Sequence, residues 1–222
     1  MNISHNTKGV DILLELMPGG SVKNLLELGP LNEVVIRRFI KQILEGLKYL
    51  HDKGIVHKNL KCSNVLVDNN SCIKLSDFGT LKEIVLLGTT QCNKNELEKA
   101  LEGSVYWAAP EVVKNKETTK ASDIWSLGCV IIEMSTGKPP WFDIKDEQKV
   151  LQIIRETNIG PPLPINELTA PALNFLKKCF QIDPRDRPTA EELLQDDFIT
   201  YLNNSINSTE MVLERMQGIK QT

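Results

Sequence analysis

The clearest hydrophobic pattern in the chain follows Asn32 and Glu33, where apolar residues recur at steps of three and four positions. This spacing places them on one face of a helix, and the two polar residues in front are typical of a helix start. The pattern therefore predicts a long core helix. Its apolar face consists of Val35, Phe39, Ile43, Leu47 and Leu50.

A second helical pattern is apolar on most of its faces, which is typical of a helix buried at the centre of a domain. We expect Ser122 and Asp123 to cap its start, and Thr136 with Gly137 to end it. Shorter helices are predicted at residues 21–28, about 147–156, 170–180 and 189–198.

Residues 10–16 are rich in branched apolar side chains and are followed by Pro18, which predicts a strand that ends there. A lone strand leaves its backbone groups unpaired. It therefore pairs either with the two short apolar stretches on each side of residues 68–70 or with segments outside this chain, and we expect the second. Those two stretches predict a hairpin that brings Asn64 and Asp77 close together.

Little periodicity remains in two segments. Residues 80–104 predict a long loop, a kind of segment that is more often functional or disordered than structural. The residues after position 199 are polar and predict a frayed helix or a tail.

Composition narrows the class of protein. The chain has 222 residues, of which 41% are hydrophobic and 25% charged, with a net charge of -3, as expected for one soluble globular domain. The acidic balance argues against a nucleic-acid-binding surface, and the apolar runs are too short for a membrane helix. Five widely spaced cysteines favour reduced thiols rather than disulfides or zinc. We therefore expect a cytoplasmic protein with no nucleic-acid and no membrane partner.

Five polar motifs follow one another along the chain, and in this order they resemble the carboxy-terminal lobe of a eukaryotic protein kinase. Residues 57–64 are similar to the catalytic loop H-R-D-L-K-x-x-N, and residues 77–79 match D-F-G. Residues 109–111 match A-P-E, residues 123–128 resemble the central-helix motif, and Arg187 resembles the arginine that pairs with the A-P-E glutamate. Within that family, the sequence most resembles serine/threonine kinases of the mitogen-activated protein kinase kinase kinase type.

The resemblance implies a mainly α fold, the carboxy-terminal lobe of the α+β kinase fold. It would be a helical bundle with a short β-hairpin and one hinge strand. Residues 1–9 would be a residual upstream segment, 10–199 a truncated kinase domain and 200–222 a polar tail. The chain contains no upstream glycine-rich loop, strand lysine or helix glutamate. We therefore expect the amino-terminal lobe to be largely absent.

The resemblance also implies the catalytic roles. Asn64 and Asp77 would hold Mg2+ against ATP, Lys61 would lie near the transferring phosphate, and Ser104 would lie beside the substrate hydroxyl. Taken singly, Asp77 could be a turn residue, Asn64 a loop cap, Lys61 a solvated lysine and Ser104 an ordinary loop serine. Partners would be a protein substrate or a signalling partner.

The hinge strand would supply the adenine site. The main chain of Glu15 and Met17 would meet the adenine edge, with Leu66 as its apolar floor and Leu14 at the back of the pocket. Both leucines could equally be core residues. Away from this site, the resemblance makes Glu111 and Arg187 a buried bidentate ion pair that serves the shape of the domain.

Two departures limit the activity that the resemblance implies: the larger is the expected absence of the amino-terminal lobe, and the other is in the catalytic loop. Asn59 occupies the position of the family's aspartate, and an amide cannot accept the proton of the substrate hydroxyl. Lys58 replaces an arginine and lacks the planar fork that grips a phosphate. Phosphorylation of the predicted loop would fall on Thr80, Thr89, Thr90 or Ser104.

Three hypotheses follow from the sequence. The first is a serine/threonine kinase with impaired or absent catalysis. The second is a non-catalytic, pseudokinase-like signalling or scaffold module. The third is a gene fragment without a function of its own.

Overall fold

The computed structural model of the chain describes residues 2–6, 9–78, 101, 103–115, 118–156 and 159–200, with side chains from residue 14 onward. The strands are β1 (Asn2–Asn6), β2 (Gly9–Leu13), β3 (Val65–Val67) and β4 (Ile73–Leu75). The helices are α1 (Val22–Leu26), α2 (Glu33–Asp52), α3 (Pro110–Asn115), α4 (Lys120–Thr136), α5 (Glu147–Glu156), α6 (Ala170–Cys179), α7 (Ala190–Leu193) and α8 (Asp197–Thr200). Short 3-10 turns lie at Cys62–Asn64, Val105–Trp107 and Pro184–Asp186. The prediction of a mainly helical fold is confirmed.

Helix α2 forms where the spacing of apolar residues predicts it. The Asn32 side chain accepts a hydrogen bond from the Val35 amide at 2.9 Å, which caps the start of the helix. All five predicted apolar positions are buried in one hydrophobic core. The helix packs against α4, α7 and α8 and against strand β4.

Helix α4 is the buried central helix that its composition predicts, but its start was predicted wrongly. The residue that caps it is Thr119, and Ser122 lies inside the first turn, where it returns a hydrogen bond to the Thr119 backbone. Thr119 and Ser122 are both residue types that cap helices, and the earlier of the two is used. Gly137 ends the helix in the left-handed conformation with φ 75°, as expected.

Close packing fixes the identity of one residue on this helix. A Cβ atom on Gly128 would lie 2.8 Å from two ring atoms of Phe180 and 3.0 Å from Cys179 Cβ. Phe180 in turn meets the Trp125 ring edge to face, with 5.0 Å between centroids. The absence of a side chain at Gly128 lets the end of α6 approach α4 directly.

The shorter helices form where the sequence predicts them, but not all of them have the predicted length. Helices α1, α5 and α6 lie inside or at their predicted ranges. The predicted single helix at residues 189–198 is two short helices, α7 and α8, because the chain turns between Leu194 and Asp196. Asp196 accepts a hydrogen bond from the Phe198 amide at 2.9 Å, which starts the second of them.

The partner of the first strand lies within the chain, contrary to the expectation. Strand β2 pairs antiparallel with β1, and Ile3 lies opposite Ile12 in the register. Strand β1 consists mostly of polar residues, so the pattern of apolar residues does not predict it. Strand β2 also ends at Leu13, earlier than the predicted end at Leu16.

Strands β3 and β4 form the predicted hairpin, with Val65 opposite Leu75. Gln42 on α2 fixes this hairpin to the core with both ends of its amide. Its nitrogen donates to the Ser71 carbonyl at 3.2 Å and its oxygen accepts from the Ile73 amide at 2.9 Å. On the other side, the Gly19 amide donates to the Val67 carbonyl at 3.0 Å.

Most of the predicted loop at residues 80–104 lies outside the described residues, together with Gly79 of the D-F-G triplet and the positions Thr80, Thr89 and Thr90. Of the predicted tail at residues 200–222, only Thr200 is described, and it is the last residue of helix α8. Within the part of the chain that the structure describes, no helix is long and apolar enough to cross a membrane.

A strained serine in the β3–β4 turn offers a test of this packing. Ser71 has a positive φ of 60°, is fully buried, and its hydroxyl has no hydrogen-bond partner. We predict that Ser71→Gly stabilises the chain by about 1 kcal/mol, because relief of the backbone strain and of the unpaired hydroxyl outweighs the added freedom of the unfolded chain. Urea denaturation measures the difference. Ser71→Ala, which keeps the strain, serves as the control and should gain less; a loss of stability in the glycine variant would contradict the prediction.

Candidate active site

The polar loop at residues 57–64 is held in place by the carboxylate of Asp123 at the start of α4. This carboxylate is only 1% exposed and accepts three hydrogen bonds. The backbone amides of His57 and Lys58 donate from 2.8 and 2.9 Å, and His51 Nε2 lies 2.8 Å away. The sequence alone suggested a capping role for Asp123, but the structure shows that it anchors the loop instead.

The start of the loop is strained and buried. Lys58 has a positive φ of 70°, which places the neighbouring amides on one carboxylate. His57 is fully buried, and burial lowers the pKa of its imidazole, so the ring is neutral at pH 7. Its Nδ1 accepts a hydrogen bond from the Asn59 amide at 3.3 Å. The ring therefore fixes the backbone of the residue at the expected proton-acceptor position.

Three of the predicted site residues meet in one network. Lys61 Nζ donates to Ser104 Oγ at 3.0 Å and to the Gly103 carbonyl at 3.2 Å. Ser104 Oγ in turn donates to Asn59 Oδ1 at 3.2 Å. Asn59 and Lys61 belong to one sequence motif and Ser104 to another, and the structure brings them together through the segment that precedes α3.

Asn64 and Asp77 are also neighbours. Asn64 is buried, and the Ser76 amide donates to its carbonyl at 3.0 Å, which places Asp77 beside it. Asn64 Nδ2 donates to the Asn59 carbonyl at 2.7 Å, and no described residue donates to its Oδ1. One amide oxygen and one exposed carboxylate are oxygen ligands of the kind that Mg2+ accepts together with nucleotide phosphates. The donor set therefore fits the predicted metal.

The structure brings together only some of the residues that were predicted to contact adenine. The turn at Met17 and Gly20 lies next to β3, and Ser21 forms an isolated bridge with Leu66. Leu66 is half-buried on this strand, whereas the Leu14 side chain is 73% exposed and is not a core residue. The Glu15 carboxylate forms an ion pair with Lys74. The adenine roles remain predictions.

Sequence reasoning missed Glu133, which is 1% exposed inside α4. Its Oε2 accepts from Trp107 Nε1 at 3.0 Å and from the Cys62 amide at 3.2 Å. It therefore ties the loop to the segment that carries Ser104, and Trp107 places its ring 5.8 Å from Lys61 Nζ. A carboxylate within the apolar run at residues 127–134 of this helix was the available signal.

The predicted pair between Glu111 and Arg187 is confirmed as a buried bidentate ion pair. Arg187 donates from Nη1 at 2.6 Å and from Nη2 at 2.8 Å to the two carboxylate oxygens. The guanidinium also donates to the carbonyls of Gln181 and Ala121, at 2.7 and 3.0 Å. It lies 5.0 Å from the centre of the Trp125 ring. These contacts join α3 to the chain before α7.

Comparison with known proteins agrees with this arrangement. The protein kinase domain family matches residues 1–199. The chain is 43% identical over 203 residues to the mitogen-activated protein kinase kinase kinase ANP1 of Arabidopsis thaliana, covering 91% of this chain and 30% of that protein. It is 44% identical over 192 residues to the serine/threonine-protein kinase STE11 of Saccharomyces cerevisiae, covering 86% of this chain and 26% of that protein.

The chain therefore belongs to the protein kinase family. Within that family it is a serine/threonine type similar to mitogen-activated protein kinase kinase kinases. It spans less than a third of the length of these relatives. Protein kinases use ATP with Mg2+ and act on protein substrates.

The buried ion pair gives the second prediction. Arg187→Lys keeps the charge but loses the planar fork, so it leaves a carboxylate oxygen and backbone carbonyls without donors. We expect the free energy of unfolding to fall by about 2–3 kcal/mol, measured by urea denaturation.

Arg185→Lys is the matched control, because Arg185 pairs with Asp183 at the surface and its side chain is 87% exposed. We expect its denaturation midpoint to stay close to that of the unmodified chain. Equal losses in the two variants would show that the buried geometry of Arg187 contributes nothing.

Proposed function

We propose that this chain is a serine/threonine protein kinase domain in which transfer of the ATP γ-phosphate to protein hydroxyls is strongly impaired. The observation that carries the proposal is the amide of Asn59 at the position of the family's aspartate. Its oxygen already accepts a hydrogen bond from Ser104, 3.2 Å away. An amide has no basic site near pH 7, so it cannot take a proton from a substrate hydroxyl.

The rest of the loop supports a kinase rather than an unrelated activity. Lys61 is held 3.0 Å from Ser104 Oγ, as expected of a cation placed near the transferring phosphate. Asn64 and Asp77 would hold Mg2+, which neutralises charge on the nucleotide phosphates when bound. The Glu15 and Met17 main chain would meet the adenine, with Leu66 as floor and Leu14 behind it.

The magnitude of the impairment follows from the missing base. General-base catalysis contributes about 10²- to 10⁴-fold to a rate, while positioning and charge neutralisation contribute separately. The loss of the base therefore leaves slow transfer rather than none.

The similarity to relatives named mitogen-activated protein kinase kinase kinases supports a substrate or partner in a signalling cascade of that kind. A cytoplasmic location belongs to the same proposal. It is supported by the four described cysteines, which are free thiols.

The second candidate is a non-catalytic, pseudokinase-like signalling or scaffold module. The same Asn59 amide favours it, because the substitution removes the proton acceptor while the neighbouring backbone keeps its hydrogen bonds to His57 and Asn64. A module of this kind would bind partners through an intact fold without turnover.

Restoring the carboxylate tests the proposal. We predict that Asn59→Asp in the 222-residue chain raises the rate of phosphate transfer from radiolabelled Mg-ATP to dephosphorylated casein by about 10²- to 10⁴-fold. Asn166→Asp adds the same charge at an exposed turn and serves as the control, with no expected change.

Mg-ATP binding by calorimetry accompanies the assay. If the unmodified chain transfers phosphate within about tenfold of the Asn59→Asp rate, the argument from the missing base is wrong. If neither form transfers phosphate although the Asn59→Asp variant folds, the non-catalytic module replaces the first proposal.

A further inference from the structure

The orientation of the Asn59 side-chain amide determines whether its oxygen or its nitrogen is available to a ligand. Lys61 donates to Ser104 Oγ, so the hydroxyl hydrogen of Ser104 is directed to Asn59 Oδ1. The amide oxygen therefore faces Ser104, and Nδ2 lies on the other corner of the amide. Among the described residues, none accepts a hydrogen bond from this Nδ2. Asn59 is only partly buried, so its two N–H groups can meet a ligand.

Lys61 adds a positive charge close to Asn59, because both side chains contact Ser104 Oγ. Its ammonium group has three donors, and the described residues accept two hydrogen bonds from it, at Gly103 and Ser104. Both acceptors are uncharged, so the Lys61 charge has no carboxylate partner within the network. An aspartate at position 59 would have supplied a negative charge there.

Two carboxylates, those of Asp123 and Asp77, lie in the same part of the chain, and neither forms an ion pair with Lys61 among the described residues. The Asp123 carboxylate is buried and already accepts hydrogen bonds from two backbone amides and from His51 Nε2. Lys58, beside it, contributes a further positive charge. Asp77 is exposed and belongs to the same region, because the amide of the preceding Ser76 donates to the Asn64 carbonyl. The replacement of aspartate by asparagine thus changes one acceptor into a donor and raises the local charge by one.

We infer that the face formed by Asn59 Nδ2 and Lys61 Nζ binds the phosphate monoester of a phosphorylated serine or threonine side chain, without nucleotide or metal. A phosphate dianion offers three acceptor oxygens to amide and ammonium donors. A carboxylate at position 59 would repel it. The inference rests on the proposed function in one respect, because it takes this loop as the place where a protein side chain enters. The site would then retain a phosphorylated protein segment instead of producing one.

Nuclear magnetic resonance titration of the full chain tests the inference. The probes are a short glycine peptide carrying one phosphoserine, its unphosphorylated twin, and inorganic phosphate, at pH 7.5 without nucleotide or divalent metal. We expect the phosphopeptide to shift the side-chain amide signal of Asn59, and the unphosphorylated twin to leave it unchanged. A shift with inorganic phosphate alone, with no tighter binding of the phosphopeptide, would overturn the assignment to a protein side chain.

Variants identify the donors. Asn59→Asp should weaken phosphopeptide binding at least about tenfold, because it removes the amide donor and adds a repelling charge. Lys61→Met should weaken it to a similar extent, while Asn166→Asp should leave it within about twofold. Asn59→Ala removes the donor without adding charge and should give an intermediate loss. It replaces the aspartate variant if that variant does not fold. Unchanged affinity in the folded Asn59 variants would overturn the inference.

The same substitution separates this inference from the proposed function. Asn59→Asp is expected to raise phosphate transfer and to lower phosphopeptide affinity. A rise in transfer with unchanged affinity would reject only the phosphate-binding site. A fall in affinity with unchanged transfer would reject only the argument from the missing base.

Discussion

The buried carboxylate of Asp123 is the interaction on which the site depends. A carboxylate that is taken out of water is costly unless donors surround it. Here the donors are the amides of His57 and Lys58 and the His51 ring. Because the buried carboxylate requires these hydrogen bonds, it fixes the backbone of the loop relative to the central helix. Asn59, Lys61 and Asn64 follow within seven residues, so their positions depend on that anchor.

The sequence predicts the periodic and motif-bearing parts of this fold well. Helix α2 and the β3–β4 hairpin follow from apolar spacing and turn residues, and the Glu111–Arg187 pair follows from the family resemblance. The partner of β2 could not be predicted, because β1 is polar and its pairing depends on backbone hydrogen bonds rather than on apolar side chains. Glu133 was missed for a related reason, since its two donors come from distant parts of the chain.

The catalytic loop illustrates how geometry and chemistry can separate. The backbone of residue 59 is held by His57 and Asn64, and neither contact depends on whether the side chain ends in a carboxylate or an amide. The exchange of one oxygen for an NH2 group is therefore compatible with the same loop shape, and it replaces one of the two side-chain acceptors with a donor. A fold can thus keep its family's form around a side chain that lacks the proton acceptor, as the proposed function requires.

The two hydrogen bonds between Gln42 and the hairpin bear on the tendency of the chain to aggregate. An isolated two-stranded hairpin presents open edges, which other chains can extend into intermolecular sheets. Gln42 occupies the β4 side through the backbone at Ser71 and Ile73, and the Gly19 amide occupies the carbonyl of Val67 on the β3 side. Both edges are used by the chain itself, so this hairpin is protected against edge-to-edge aggregation.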